Sequence, residues 1–535
     1  MIVPVIVCAV SQFFELVRLR KMLSVYYIFS SAIIAVSFLA DLVLYNFWGA
    51  KLDAADLIYA KNPKDMLASL SWWMLVLSLV VLVVLMVGQY LLFRKITPQK
   101  SAHVSRRPLL SLVLFLLLGL LFAGMRGGFQ ESTANPSYAY FSKNQFFNHA
   151  ALNPLFNIVH SLSKGEDLAN EFRYYEDEDL KGLIGDLFES NADITDSLLA
   201  NPRPNILLLI WEGGGSLFLD NDTVAPGFHQ LKAEGVYFSN LYANNFRTDR
   251  GLVSLLNGWL GLPTTSVMKM SGKCGALPSL AKSLSDEGYQ TSFYYGGDID
   301  FTNMRGYLYE TGYERVYGGE HYSSIPVKSK WGVDDQYLLE AAVSALPSSP
   351  FFATYLTLSS HEPWEVPYHK LADEKANSFA YTDSCVSLFV CQLKQTPVWD
   401  NLLLIIVPDH GVAWAGYSPT DIEVAKIPML WLGGAVRQPC VVERLMNQSD
   451  IAATLLSQMN IPSSDFIFSR NVLSHTYQPR MVMHAYKNGM NVLDSNGCRR
   501  YNIVDGQVVD TKMGNENDSF PKALLQLIYS ETSRL

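Results

Sequence analysis

Charged residues are scarce in this sequence. Asp, Glu, Lys and Arg make up 17% of its 535 residues, whereas a soluble domain contains about 25%. Hydrophobic residues reach 49%, and the mean hydropathy is +0.12. This composition excludes a disordered or collagen-like chain and indicates that part of the protein lies in lipid.

An excess of basic residues is also lacking. The chain has 41 Lys and Arg against 50 Asp and Glu, a net charge of −9, which argues against a nucleic-acid-binding protein. Residues 1–127 nevertheless hold 12 basic and 5 acidic residues, a net +7, which leaves 29 basic and 45 acidic residues for the rest. We therefore expect a small basic membrane part and a large acidic soluble part.

Cysteine is rare, with six residues and no Cys-x-x-Cys spacing that would indicate a zinc or redox site. Cys8 lies in an apolar segment. The other five are an odd number, so at least one of them stays unpaired. We expect mainly structural thiols, with one disulfide as the alternative. These five are Cys274, Cys385, Cys391, Cys440 and Cys498.

Long apolar runs are present at the amino-terminal end. Residues 26–48, 67–93 and 109–125 are each long enough, or nearly so, to cross a bilayer as a helix. Residues 1–17 form a weaker fourth run without the basic start and cleavage site of a signal peptide. We predict that residues 1–127 form about four transmembrane helices.

Basic loop residues orient these helices, because cytoplasmic loops are enriched in Lys and Arg. One cluster, residues 18–21, follows the run 1–17, and a second cluster, residues 94–107, follows the run 67–93. With both clusters in the cytoplasm, everything after Arg126 is predicted to lie outside it.

The remaining chain divides into a connector and a soluble domain. Residues 128–200 are rich in Asn, Ser and charged residues and contain one amphipathic stretch, 152–162. This stretch either braces the soluble domain or lies on the membrane surface, and we favour the brace. Pro202 and Pro204 mark the start of the soluble domain, 201–535, which has a small carboxy-terminal subregion from about residue 475.

Short apolar runs alternate with helical patterns in the soluble domain, which predicts an α/β fold with a mainly parallel sheet. Three continuous apolar runs, 205–211, 351–358 and 402–407, are each followed by residues that bind metals. Glu212 follows the first run, His361 the second, and Asp409 and His410 the third. Ligands bind at the carboxyl ends of parallel strands, and these residue types suit a divalent cation such as Zn²⁺ or Mn²⁺.

Thr248 precedes an apolar helical pattern at residues 252–260. A threonine at this point commonly caps the helix. Arg247 and Arg250 on either side favour an anion site, because helix amides and guanidinium groups both attract anions. The Thr248 hydroxyl is then a candidate nucleophile that a metal ion would activate.

Together these segments resemble the lipoteichoic acid synthase-type phosphoglycerol transferases, which are membrane-anchored members of the alkaline phosphatase/sulfatase superfamily. The resemblance extends from Pro204 to about Ser474 and includes the helical anchor. Its motifs are Glu212 after the first strand, RTDRG at 247–251, SSHEPW at 359–364, PDHG at 408–411, WGVDDQYLLE at 331–340, IPMLWLGG at 427–434 and SDIAATLL at 449–456.

The resemblance implies a site for one divalent metal ion, usually Mn²⁺, with Zn²⁺ and Mg²⁺ as alternatives. It implies that Thr248 is the nucleophile and that His361 contacts the substrate and assists proton transfer. Arg305 corresponds to a phosphate-binding arginine, although the segment FTNMR at 301–305 is one residue longer than the family pattern. Asp298 is expected nearby. The metal ligands implied are Glu212, Thr248, Asp409 and His410.

The function expected is transfer of a phosphoglycerol head group from phosphatidylglycerol to a glycan or lipid hydroxyl through a phospho-threonine intermediate. The protein would be a multi-pass protein of a bacterial inner membrane with an extracytoplasmic catalytic domain. Alternatives are a phosphoethanolamine transferase, a hydrolase or sulfatase of the same fold, and an inactive binding protein. A sulfatase needs Cys or Ser in a C/S-x-P-x-R sequence, which this chain does not contain.

Overall fold

The protein forms two compact units. One comprises Met1–Phe141 with Phe146–Gly165, and the other comprises Ser142–Gln145 with Glu166–Leu535. The computed structural model describes residues 2–10, 16–48, 51–52, 72–96, 107–129, 132–164, 168–189, 195–325, 329–478, 480–495, 497–504, 506–510 and 519–535.

The first unit is helical. Three of its helices contain segments long and apolar enough to span a membrane, namely Lys21–Tyr45, Trp72–Ile96 and Leu109–Arg126. These agree with three of the four predicted runs, although residues 67–71 of the second lie outside the described part of the chain. The helices of this unit are Ile2–Val10, Leu16–Trp48, Trp72–Ile96, Arg107–Arg126, Gln145–Ala151 and Pro154–Lys164.

The fourth predicted run, residues 1–17, contains the helix Ile2–Val10. Nine residues are too few to cross the hydrocarbon core, which takes about 20. Met1 and residues 11–15 lie outside the described residues, so a fourth spanning helix remains a prediction.

The second unit is built around a nine-stranded sheet. Its strands are β1 (Asn205–Trp211), β2 (Val236–Tyr242), β3 (Gln290–Tyr295), β4 (Arg315–Tyr317), β5 (Phe351–Leu356), β6 (Leu402–Pro408), β7 (Lys426–Leu432), β8 (Cys440–Val442) and β9 (Met446–Asn447). The order is β4-β3-β5-β1-β6-β7-β2-β8, and β9 also pairs with β2.

The block β4-β3-β5-β1-β6 is parallel. β7 runs antiparallel to β6 and to β2, so the sheet is mixed and mostly parallel, close to the mainly parallel sheet predicted. Every residue of β1, β5 and β6 is buried. Continuous apolar runs of this kind belong to central strands that are covered on both faces.

Helices cover the sheet, and the longest of them, Glu374–Leu393, contributes Phe389 and Leu393 to the same buried cluster as β1 and β6. The helices of this unit are Leu168–Glu171, Asp177–Ile184, Ser216–Leu219, Pro226–Leu231, Thr248–Asn257, Ser271–Cys274, Leu280–Asp286, Met304–Glu310, Asp335–Ser344, Glu374–Leu393, Ile422–Ala425, Asp450–Gln458 and Ser519–Arg534. Short 3₁₀ turns connect several of them.

Two predicted boundaries were wrong. The helix expected at residues 252–260 runs from Thr248 to Asn257, because Gly258 adopts a left-handed conformation (φ 59°) that ends it. β5 ends at Leu356 rather than at Leu358, because the amides of Leu358 and Ser359 bond to the Asp335 carboxylate instead of a neighbouring strand.

The carboxy-terminal part adds a separate antiparallel sheet of β10 (Met481–Tyr486), β11 (Gly489–Asp494), β12 (Gly497–Asn502) and β13 (Val508–Asp510). The final helix, Ser519–Arg534, packs back on the domain, where the Trp259 indole N–H donates to Thr532 Oγ1 at 3.0 Å.

None of the six cysteines, all of which lie in described parts of the chain, forms a disulfide, and Cys274, Cys385 and Cys498 are buried. The alternative of one disulfide was therefore wrong. Their spacing could not decide this, because pairing depends on which segments the fold brings together.

Candidate active site and metal centre

Parallel pairing of β1 and β6 brings the predicted acidic residues together. Trp211 and Pro408, the last residues of these strands, are register partners. The next residue of each chain segment, Glu212 and Asp409, therefore emerges at the same sheet edge, and His410 follows.

These three residues form a buried cluster whose ligand atoms lie within 4.8 Å of one another. The Glu212 Oε1 atom lies 3.3 Å from His410 Nε2, and Asp409 Oδ2 lies 3.6 Å from the same nitrogen. Asp409 Oδ1 accepts the amides of Gly213 and His410, each at 2.9 Å. These amides fix the carboxylate so that Oδ2 points into the cluster.

Glu212 and Asp409 are two carboxylates buried side by side, so it is unfavourable for both of them to be ionised without a compensating positive charge. Burial and the neighbouring Glu212 carboxylate raise the pKa of Asp409 above its ordinary value. Burial alone would lower the pKa of His410, but the charges of Asp409 and Glu212 raise it overall. Burial opposes ionisation of Glu212, yet the hydrogen bond and charge of His410 keep its pKa low. His410 therefore carries the compensating positive charge when no metal is bound.

A divalent cation fits this donor set. Asp409 Oδ2 is buried, and among the described residues no hydrogen bond of normal geometry reaches it. Carboxylate oxygens and one imidazole nitrogen are ligands that Mn²⁺, Zn²⁺ and related ions accept. A cation would replace the proton that now neutralises the cluster.

The Thr248 hydroxyl completes the cluster by donating to Glu212 Oε2 at 3.0 Å. Thr248 is the first residue of its helix, and Arg247 occupies the capping position. The capping explanation for Thr248 is thus wrong: its side chain faces the carboxylates and not the helix amides. All four predicted metal ligands lie together.

The two arginines beside Thr248 differ in their surroundings. Arg250 is buried, and its Nε donates to the carbonyls of Leu262 and Thr265 at 2.9 and 2.7 Å. Its guanidinium therefore stabilises the protein interior, contrary to the expected anion site. Arg247 is exposed, and its guanidinium lies 5.9 Å from the Phe246 ring, so it remains a candidate for binding substrate.

His361 lies close enough to the cluster for its charge to lower the pKa of Glu212. Its Nδ1 donates to the carbonyl of Glu362 at 2.7 Å, which leaves Nε2 to accept or deliver a proton. The centroids of the Trp331 and His361 rings lie 4.8 Å apart. The Trp331 indole N–H donates to the same Glu362 carbonyl at 2.6 Å.

Asp298 also lies near the cluster. Burial is the main cause that raises the pKa of Tyr295. The next causes are the negative charges of three nearby carboxylates, those of Glu212, Asp298 and Asp409. Tyr295 ends β3, so the parallel block brings Asp298 to the same sheet edge as the metal ligands.

Arg305 is held by two carboxylates. Its Nε donates to Asp300 at 2.9 Å, and a terminal nitrogen donates to Glu320 at 2.7 Å. A substrate phosphate would have to replace these partners, so phosphate binding by Arg305 remains a prediction.

Other residues position the site and were missed by the sequence analysis. The Glu212 amide donates to Thr357 Oγ1 at 3.0 Å, and Ser360 Oγ donates to the Glu212 carbonyl at 2.6 Å. Asp335 accepts the amides of Leu358 and Ser359. It thereby fixes the turn that carries His361.

Gln448 fixes the other side of the site. Its side-chain amide donates to the carbonyls of Pro408 and Asp409 at 3.0 and 2.7 Å. It also accepts the amide of Asn244 at 3.3 Å, which connects the Thr248 segment to the Asp409 segment. Hydroxyl and amide side chains of this kind follow no spacing rule, so no local signal identified them.

Comparison with known proteins shows what this part of the chain resembles. The Sulfatase family profile matches residues 204–461. The chain is 23% identical over 338 residues to the lipoteichoic acid synthase of Staphylococcus saprophyticus, covering 57% of this chain and 51% of that protein. It is 22% identical over 257 residues to phosphoglycerol transferase I of Salmonella arizonae, covering 42% and 33% respectively. The chain thus spans about half the length, or less, of these curated relatives.

Solved structures share the fold. A protein of the alkaline phosphatase superfamily from Vibrio parahaemolyticus superposes with a TM-score of 0.58 at 22% identity, covering 68% of this chain and 97% of that one. The lipoteichoic acid synthase LtaP from Listeria monocytogenes gives a TM-score of 0.54 at 16% identity, covering 67% and 98%. These two structures share the fold of this domain, and the Sulfatase family profile covers the part of the chain that carries the candidate site, residues 204–461.

Proposed function

We propose that the protein is a metal-dependent transferase that moves a phosphoglycerol head group from phosphatidylglycerol to the hydroxyl group of a glycan or lipid. The names of the relatives support phosphoglycerol transfer as the type of reaction. The observation that carries the proposal is the Thr248 hydroxyl, which lies at a helix amino terminus and bonds to a carboxylate of the cluster at 3.0 Å.

The residues of the cluster have distinct tasks. Glu212, Asp409, His410 and Thr248 would hold one divalent cation, with Mn²⁺ expected and Zn²⁺ or Mg²⁺ as alternatives. The cation would supply positive charge that favours the ionised hydroxyl and offsets the charge of a phosphodiester. Arg247, Asp298 and, after exchange of its carboxylate partners, Arg305 would bind the head group.

Two displacements at phosphorus complete the reaction. The Thr248 hydroxyl passes its proton to His361 Nε2 and its Oγ forms a bond to phosphorus; the bond from phosphorus to the diacylglycerol oxygen breaks, and His361 Nε2 delivers the proton to that oxygen. In the second step the acceptor hydroxyl passes its proton to His361 Nε2 and forms the new bond to phosphorus, while the bond from phosphorus to Thr248 Oγ breaks and that oxygen takes the proton back from His361.

The helical anchor agrees with a lipid donor, because it would hold the catalytic domain beside phospholipid head groups. Under this proposal the protein is a multi-pass protein of a bacterial inner membrane, and the charge distribution of its loops favours a catalytic domain outside the cytoplasm.

Release of diacylglycerol by the full-length protein in lipid nanodiscs tests the proposal. With Mn²⁺ and phosphatidylglycerol we expect the native protein to release diacylglycerol. We expect no release from the Thr248→Ala variant or in the presence of a chelator. Release from phosphatidylethanolamine alone would move the protein to the phosphoethanolamine transferases. Release from neither lipid by a metal-loaded protein would contradict the proposal.

A further inference from the structure

Two short helices that follow the last spanning segment expose large apolar side chains and bury two polar ones. They are Gln145–Ala151 and Pro154–Lys164. Residues 146–165 belong to the first compact unit together with the membrane helices. The sequence favoured bracing of the soluble domain by this stretch, and the structure instead groups it with the membrane unit.

The inner side of these helices buries two asparagine side chains as well as Ile158. Asn148 and Asn157 are 0% and 4% exposed. The Asn148 carbonyl oxygen accepts the amide of Phe141 at 3.0 Å, and the Asn157 amide donates to the carbonyl of Leu52 at 3.0 Å. The contacts that fold these helices onto the unit are therefore partly polar.

Large apolar side chains occupy the outer face. Phe146 and Phe147 are 56% and 51% exposed, and Val159 and Leu162 are 56% and 55% exposed. Val159 and Leu162 are separated by three positions and lie on one helical stripe. Large exposed apolar side chains that lie close in the fold mark surfaces that contact a membrane or another protein.

The outer face continues from the end of a spanning segment. The segment Lys21–Tyr45 ends at Tyr45, whose hydroxyl bonds to His149 Nδ1 at 3.1 Å. The Tyr45 and Phe146 rings lie 6.0 Å apart. Tyrosine is enriched where a spanning helix leaves the hydrocarbon core, so the two helices begin at the level of the head groups.

We propose that the face formed by Phe146, Phe147, Val159 and Leu162 inserts into the boundary between the head groups and the acyl chains of the bilayer. The two helices would lie along the membrane surface and fix the start of the connector at that depth. Lipid is the occupant because the face adjoins the end of a membrane span and because its inner side is already covered by the same unit. The proposal holds whichever head group the active site transfers.

Site-directed spin labelling of the full-length protein tests this proposal. The background variant replaces Cys8, Cys391 and Cys440 and keeps the three buried cysteines. Labels are attached in Phe146→Cys, Val159→Cys and Leu162→Cys, and the matched control is Glu178→Cys, an exposed position on the helix Asp177–Ile184 of the other unit. The protein is reconstituted in nanodiscs of phosphatidylglycerol and phosphatidylethanolamine.

Collision rates with oxygen, which concentrates in lipid, are compared with those of a water-soluble nickel complex. We expect the ratio of oxygen to nickel collisions at all three positions to be several-fold higher than at the control. Nickel access equal to that of the control would overturn the proposal. Low access to both reagents would also overturn it, because it would indicate a protein contact in place of lipid. The use of three positions on two helices guards against the loss of one variant through misfolding.

Discussion

The carbonyl of Glu362 accepts two hydrogen bonds that together orient the proposed proton-transfer residue. The His361 imidazole and the Trp331 indole both donate to it, at 2.7 and 2.6 Å. Because a carbonyl can only accept, His361 must carry its proton on Nδ1 and present Nε2 as the reactive nitrogen. Trp331 therefore acts on the reaction through His361.

Replacement of Trp331 by Phe removes the indole N–H and keeps an aromatic ring. We expect His361 to lose part of its fixed orientation, so that kcat falls by up to about 100-fold while KM changes little. Steady-state transfer kinetics at several pH values provide the measurement.

Trp364→Phe is the control, since the Trp364 ring packs against Lys375 and not against His361. It should leave kcat within about twofold of the native value. An equal loss in both variants would show that the indole N–H of Trp331 has no special part in orienting His361.

Single residues at strand ends were the most predictable part of the site. Glu212, Asp409 and His410 follow apolar runs that form neighbouring central strands, and such strands end at one sheet edge. Arg250 was assigned wrongly, because proximity in sequence to Thr248 does not decide whether a guanidinium faces the site or the interior. Asp335 and Gln448 act over long sequence separations, which no local pattern encodes.

The helix Thr248–Asn257 approaches the Asp409 segment so closely that only glycine fits at one position. A Cβ atom on Gly251 would lie 2.4 Å from the Asp409 carbonyl oxygen. This contact sets the distance between the proposed nucleophile and the metal ligands.

Gly251→Ala should therefore displace the helix from the metal ligands. We expect a loss of stability of about 1–3 kcal/mol and a loss of transfer activity greater than the fraction of unfolded protein explains. Chemical denaturation and kinetic assays provide the measurements. Gly275→Ala serves as the control because no atom lies within 4 Å of the added Cβ, and a similar defect there would refute the steric argument.

The helix Asp335–Ser344 stabilises the turn before His361 through its first residue. Asp335→Ala removes the acceptor of the Leu358 and Ser359 amides, and each unsatisfied buried donor costs about 1–3 kcal/mol. We expect lower thermal stability together with reduced kcat. Glu340→Ala, at an exposed position of the same helix, should change neither, and an unaffected Asp335→Ala variant would contradict the positioning role.

At the level of elements, the sequence predicted the central strands well, because unbroken apolar runs can be buried only between two layers of helices. Its errors were at ends: the helix at Thr248 begins four residues earlier than expected, and β5 ends two residues earlier. Side-chain contacts from distant segments determine these ends.

At the level of the whole molecule, folding and metal binding are linked. The pKa values of Asp409 and His410 are raised without metal, so both groups favour the folded state when protonated, and this contribution is lost as pH rises through their folded pKa values. The pKa of Glu212 is lowered, so its ionised form favours the folded state. This contribution to stability is lost only at acidic pH, where Glu212 becomes protonated. A bound cation would offset the loss at higher pH.

We therefore expect Mn²⁺ to raise the thermal midpoint of the full-length protein more at about pH 8 than at about pH 6. At 100-fold excess over Kd, a ligand adds about 2.7 kcal/mol of stability. Calorimetry with and without a chelator measures this change in the thermal midpoint. The Glu212→Gln variant, which lacks one of the proposed ligands, should show little change on addition of Mn²⁺. A shift that decreases with rising pH would contradict the proton exchange described above.

The contrast between an apolar, basic amino-terminal part and an acidic α/β domain was the clearest inference from sequence, because composition and charge differ so strongly between residues 1–127 and the rest. Which apolar side chains of the two helices after the last span are exposed could not be inferred. An amphipathic pattern does not reveal which of its faces is covered.

The most direct test of the central claim, that Thr248 is a nucleophile for a lipid phosphodiester, is a mass measurement on the full-length protein. The native chain and Thr248→Ala are incubated with Mn²⁺ in phosphatidylglycerol nanodiscs, then digested. The account predicts a glycerophosphate adduct on the peptide that contains Thr248, present only in the native protein. Diacylglycerol release from a metal-loaded protein, equal in both variants and without any adduct, would contradict it.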